Sequence, residues 1–391
     1  RIINSNYFQQ ALTPDANGVY PALGDAVRLT KNVTYTNFGD IINNRKFTLL
    51  GDPAVRIAFP EQKVRTTLIN NRPPSTDTLK ALDRYTIKGE VTDRNGIKLS
   101  SFNGNVYPVI YDKELNVRTL ANDPGSLPVN IALQNNVVFK GKAKVTNGEF
   151  SYTFVVPKDI NYQFGNGKIS YYAENGLTDG NGTEATIVVG GASNNPLTDQ
   201  TGPQVKAFLN DEKFVNGGIT NEQPVLVLKL FDSSGINTVG TGIGHDITAT
   251  LDRNNRFFIL NDFYEADADS YQRGTVRFQL PKLEEGLHEL SIKVWDVANN
   301  SSDYKLEFRV VKDRELKLER VYNYPNPFTT STTFMFEHNR PGDDLRVTLR
   351  IFTVSGKLVK SIFSTINNPG NRSFELNWDG TDDFGNKIGR G

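Results

Sequence analysis

The sequence predicts a mainly β protein: a short α/β segment, then three immunoglobulin-like β-sandwiches, the last one incomplete. Three observations carry this. Helical spacing occurs only near the start, in "PALGDAVRLTKN". From residue 61 onward, short runs of alternating polarity are separated by Gly, Asn, Asp and Pro clusters about every ten residues, which is the rhythm of sandwich strands and their turns. Finally, 391 residues supply apolar material for several cores.

In the first segment, Leu23, Ala26, Val27 and Thr30 fall on one helical stripe entered through Pro21. "RKFTLLG" and "AVRIAFP" then read as strands around a hairpin at Gly51-Asp52-Pro53, with Val55, Ile57 and Phe59 sharing a buried face. A phosphate loop is disfavoured there, because the glycine spacing and following helix are missing and Pro53 removes a donor. The next strands are expected in "YTIKGEVTD", "GNVYPVIYD", "VVFKGKAKV", "EFSYTFVVP", "KISYYAEN" and "TEATIVVGG". The polar linker "ASNNPLTDQTGP" marks a boundary. Seven strands follow, "QVKAFLN", "PVLVLKLFD", "DITATLD", "RFFIL", "TVRFQLP", "HELSIKVWD" and "YKLEFRVV", with Trp295 as the expected core anchor. After "KDRELKLER" come "TTFMFEH", "RVTLRIFT", "LVKSIFST" and "RSFELNWD". The expected domains are therefore 1–60, 61–198, 199–313 and 314–391. The turn-like "GNKIGRG" leaves the last sheet one strand short, and the chain reads as a piece of a longer one.

Lys+Arg and Asp+Glu both number 44, so there is no basic excess to hold nucleic acid. No apolar run approaches the length of a spanning helix. Cysteine is absent, which excludes a cysteine nucleophile, thiolate metal sites and disulfides within these residues. The three histidines lack a catalytic setting: His245 and Asp246 are chain neighbours and would face opposite ways on a strand. "WDGTDDFGNK" carries Asp379, Asp382 and Asp383, but without calcium-loop spacing or a closing glutamate it reads as a turn with Asx capping. Glu265, Asp267 and Asp269 in "FYEADADS" read as a solvated loop. No catalytic residue, metal site or cofactor is expected in this chain.

"YPALGDAVRLTKN" with "NNRKFTLLGDPAVRIAFP" resembles the closing segment of the caspase-like peptidase domain of the gingipain family. "YNYPNPFTTSTTFMFEH", "LRIFTVSGKLVKSIF" and "ELNWDGTDDFGNKIGRG" resemble the C-terminal sorting domain of Bacteroidetes type IX secretion, and the immunoglobulin-like domain of flagellar hook-capping proteins. Together with "LFDSSGINTVGTGIGHDI", the set looks like the gingipain-family sortase of that system. The resemblance implies a cysteine peptidase and transpeptidase on the extracellular face of the outer membrane, with its His–Cys dyad upstream of the matching corner. It further implies cargo proteins with C-terminal signal domains as substrates and anionic lipopolysaccharide as acceptor. The terminal domain would dock on the outer-membrane β-barrel protein PorV. The docking motifs are Pro325, Asn326, Pro327 and Phe328, Gly356 and Lys357 at a hairpin turn, and Trp378, Asp379, Gly380 and Gly389. Pro325 and Pro327 should hold their segment extended. A secreted gingipain-like cargo protease with a transient sorting domain, and a non-enzymatic multi-sandwich adhesin, are the alternatives.

Overall fold

In the computed structural model the described residues are 2–16, 18–39, 41–238, 244–252, 256–312, 316–367 and 370–388. They form two compact units, Arg1–Gln62 and Lys63–Gly391.

The first unit holds three helices, Ile2–Ala11, Leu23–Phe38 and Ile41–Lys46. The expected stripe forms, with Ala26, Thr30 and Thr34 buried along the central helix. The two buried hydroxyls bond back to the carbonyls of Ala26 and Thr30, and Asn6 reaches Thr34 Oγ1 at 2.9 Å. Gly39 closes the helix in the left-handed conformation, its N–H donating to the Tyr35 carbonyl.

The two strands expected between 45 and 60 are not there. Arg45 and Lys46 belong to the third helix, and residues 47–60 make only an isolated bridge between Ala22 and Arg56. The physical reason lies at the central helix's first turn, whose N-cap residue, Ala22, has no side chain able to cap it. The orphan amides of Leu23 and Gly24 instead donate to the carbonyls of Val55 and Pro53, at 2.8 and 2.9 Å. Asp52 shapes this turn by accepting from Ala54 N at 2.8 Å. Carbonyls committed to a helix end cannot also run a strand ladder. Gly51-Asp52-Pro53 is thus a helix cap and not a hairpin. Val55 and Ile57 are 49% and 38% exposed, so the shared buried face is also corrected; only Phe59 is half-buried, stacked on Tyr20 at 3.9 Å.

The larger unit contains three apolar cores. The first belongs to an eight-stranded sheet that closes on itself, because Gly104–Tyr111 pairs with Lys168–Glu174 on one side and with Ala143–Thr146 and Val137–Lys140 on the other. Ile87, Ile110, Phe154 and Ile169 fill it. "VVFKGKAKV" splits into two strands at Gly141, and Gln62–Ile69 and Asp179–Glu184 join as strands the alternation did not flag. The second core lies between a four-stranded and a five-stranded sheet, and all seven expected strands are present. Phe308, Leu226, Leu228 and Ile292 anchor it. Trp295 does not: Leu290, Ile292 and Val294 take the inward positions of its strand, so period-two alternation turns the indole outward. The third core, Phe336, Ile366 and Leu376, joins the sheet Leu318–Tyr324, Thr332–His338, Arg372–Trp378 to the pair Leu345–Phe352, Leu358–Ile366.

A Cβ added at Gly24 would come within 2.7 Å of the Pro53 ring and 3.1 Å of its carbonyl oxygen. Gly24→Ala should therefore push the capping turn off the helix and destabilise the helical unit by about 1–3 kcal/mol. Thermal melting followed by helical circular dichroism checks this; an unchanged midpoint would mean that the turn does not cap the helix.

Candidate functional site

The terminal-domain residues singled out from sequence fall into two places. Phe328, Trp378 and Gly380 come together: the phenyl and indole rings sit 5.5 Å apart, and Gly380, at φ 74°, leaves room where a Cβ would lie 3.3 Å from the Phe328 ring. Trp378 is buried, and its Nε1 donates to the Thr381 carbonyl at 2.9 Å. Asp379 accepts from the Thr381 amide and hydroxyl, and those bonds hold its carboxyl below the usual range. Asp382 accepts from the amides of Phe384 and Asn386, completing the Asx-capped turn read from the sequence. Gly356, at φ 86°, and Lys357 form the other place, the turn between Leu345–Phe352 and Leu358–Ile366, closed by bonds between Thr353 and Lys357. Gly389 lies outside the described residues.

One expectation about this region fails. Residues 325–327 bend instead of running extended, with both X–Pro bonds cis, and the Pro325 carbonyl accepts from Thr332 Oγ1. Asn326 Nδ2 reaches Asn323 Oδ1 at 3.3 Å.

The histidines serve joints and cores. His245 Nδ1 lies 2.7 Å from Asp159 Oδ2, a partner 86 residues away, while Asp246 is pushed up by burial. His288 sits between Asp252 Oδ2 and the Glu284 carbonyl, both at 2.8 Å. His338 is fully buried, its Nδ1 accepts from Arg340 N, and its Nε2 has no hydrogen-bond partner. The acids read as solvated are all exposed, but they do not form a free loop: Glu265 is the central residue of the short strand Tyr264–Ala266 and pairs with Lys142 at 2.8 Å, and Asp269 accepts from Lys144 N at 2.8 Å. These bonds tie the second core to the first.

Sequence reasoning missed a group of carboxylates. Asp199, Asp232 and Asp296 bring one oxygen each within 4.8 Å of the others. Asp232 and Asp296 are buried, and burial pushes both up; the Thr201 amide holds Asp199 down. Among the described residues this is the group of three carboxylates close enough together to share a cation. Each aspartate heads a turn by accepting from amides two to four residues ahead, so "DQTG", "DSSG" and "DVANN" were the signal available. A separate apolar cavity of about 670 Å³ in the helical unit is lined by Tyr7, Val27, Lys31, Phe47 and Leu50.

The fold defines a mainly β, multi-sandwich chain, with no cysteine to act as nucleophile. Among solved structures it is similar to dimeric latent PorU from Porphyromonas gingivalis, at 35% identity over 95% of this chain and 35% of that one, with a TM-score of 0.42. That identity supports a PorU-related C-terminal region. Trypsin-activated alpha-2-macroglobulin from Escherichia coli (10% identity, 80% and 22% of the two chains, TM-score 0.22) and Spo0M from Bacillus subtilis (10%, 64% and 91%, 0.21) are too distant to inform the reading. No protein-family model and no curated protein matches the chain. The chain spans 35% of the length of the PorU chain.

Burial sets the pH dependence of the third core. His338 is pushed down to about 4, below the imidazole's ordinary range, chiefly by loss of water. A histidine depressed in the fold adds stability above its unfolded value, and loses it as pH falls through about 6.5 toward 4. The loss should amount to about 3 kcal/mol. His338→Asn keeps an acceptor for Arg340 N and should flatten the unfolding midpoint between pH 6.5 and 4.5. A variant with the wild-type slope would show that His338 does not control it.

Proposed function

We propose that this chain is the C-terminal scaffold and docking region of a gingipain-family sortase of type IX secretion, a cysteine peptidase acting at the cell surface. The observation that carries this reading is 35% identity to PorU over 95% of the chain. In the parent enzyme a thiolate attacks the carbonyl before the C-terminal signal of exported cargo. The signal's amine leaves and a thioester remains. An amine on anionic lipopolysaccharide then displaces the thiol, and an amide joins cargo to acceptor. The nucleophile lies outside this chain, which has no cysteine.

The chain's own contribution is positional. Residues 1–60 would close the peptidase domain, 61–198 and 199–313 would form the spacer sandwiches, and 314–391 would dock on the PorV barrel at the extracellular face of the outer membrane. The compact Phe328–Trp378–Gly380 corner and the hairpin turn at Gly356 support a folded terminal module. Around them Phe363 and Phe384 stand 75% and 91% exposed, which gives such a module apolar surface to bury on a partner.

Deleting residues 316–391 from the full-length enzyme tests docking. The truncated protein should leave the outer-membrane fraction and lose co-purification with PorV, while its two remaining cores melt as before. Full recovery of PorV with the truncated enzyme would move the docking surface to the first two sandwiches.

A further inference from the structure

The outer face of the second core's four-stranded sheet breaks a rule of sheet construction. Like charges directly opposite one another across a ladder repel and destabilise the pair. Yet Lys206 of Gln204–Leu209 and Lys229 of Val225–Phe231 are direct partners. One row away Arg273 stands opposite Phe231, its guanidinium 5.1 Å from the ring. Leu228 and Leu230 take the buried positions of the central strand, so Lys229 and Phe231 point outward, and their ladder partners Lys206 and Arg273 leave the sheet on the same side.

The counter-charges do not balance this group. Lys229 meets Glu212 at 3.0 Å, and Asp267 borders the same depression. Glu265, in the next strand, is engaged by Lys142. Lys206 and Arg273 have no carboxylate partner among the described residues. The depression they line, with Gln204 and Phe231, has a volume of about 340 Å³. That is roomy for a bare oxyanion, since a water molecule's share of liquid volume is about 30 Å³.

We propose that this depression binds a small anionic sugar through its phosphate or carboxylate group, with Lys206 and Arg273 contacting the anion and Gln204 offering its amide to hydroxyls. Arginine supplies paired donors to such groups and lysine a point charge. An anion held by Lys206 also offsets the charge that Lys206 presents to its ladder partner Lys229. Sites where a sequence breaks a local rule are where function is expected to compensate. This inference uses only the second core's own side chains and stands whether or not the sortase reading holds.

The test is titration calorimetry on the whole 391-residue chain, with glucose 6-phosphate and glucuronate as probes, and glucose and inorganic phosphate as controls. Saturable binding is expected for a charged sugar, with none for glucose and weaker binding for inorganic phosphate. Lys206→Gln and Arg273→Gln should each weaken binding about tenfold, as loss of a charge-assisted contact does. Lys206→Gln should also raise the melting temperature of the ligand-free chain, and the charged sugar should raise the melting temperature of the wild type but not of the double variant. No saturable binding of either charged sugar at millimolar concentration, or equal affinity in the double variant, would overturn the proposal.

Discussion

The Asp159 carboxylate is the interaction on which the large unit's continuity depends. It leaves the first core and enters the second, where Oδ2 meets His245 Nδ1 at 2.7 Å and Asn237 Nδ2 at 3.2 Å, while Oδ1 accepts from Asn299 Nδ2 at 2.7 Å. A carboxylate held this far from water is tolerated only when several donors converge on it. The donors are placed by two buried aspartates. Asp296 grips the amides of Ala298 and Asn300, fixing Asn299 between them, and Asp232 grips Ser234 and Gly235, just ahead of Asn237. The socket is completed in the backbone, where Lys158 N donates to the Val297 carbonyl and Val297 N to that of Gly235. The cost of burying Asp232 and Asp296, visible in their raised carboxyl pKa, is offset by this ordering.

The joint to the third core follows the same logic with different residues. Asn210 Nδ2 donates to Asn371 Oδ1, and Asn371 Nδ2 in turn donates to the His338 carbonyl. Arg320 bridges the buried Glu337 and the Gly217 carbonyl. Both joints are polar and directional, so each specifies an orientation that a plain apolar contact would leave free to slide. A chain proposed to hold a docking module at a set position relative to its neighbours needs this property more than it needs large buried area.

The strands named for the second core and four of those in the third were legible, most of them because one face is buried and the other wet, which writes period two into the sequence. Leu318–Tyr324, exposed along most of its length, carries no such alternation and was read as a charged joint. The closing of the first sheet was not legible: Gly104–Tyr111 pairs on both sides, and side-chain alternation carries no information about how many neighbours a strand has. The segment after residue 45 misled for a related reason. "FTLLG" and "VRIAF" look like strands, but their carbonyls answer to the uncapped helix at Ala22. Of the terminal motif, the turns at Gly356 and Asp379 were readable from local chemistry, whereas the bend over residues 325–327 was not, because the proline spacing reads equally as an extended segment. The Asp159 socket joins residues more than seventy positions apart and leaves no local trace.

The central claim, that the third core faces a barrel partner while the first two act as spacer, is tested most directly by site-specific photo-crosslinking in cells. A photoreactive residue would replace Phe363 or Phe384 in the third core, or Leu177, 93% exposed on the first. The account predicts crosslinks to the outer-membrane β-barrel protein from positions 363 and 384 and none from 177. Crosslinks from 177 alone would contradict it.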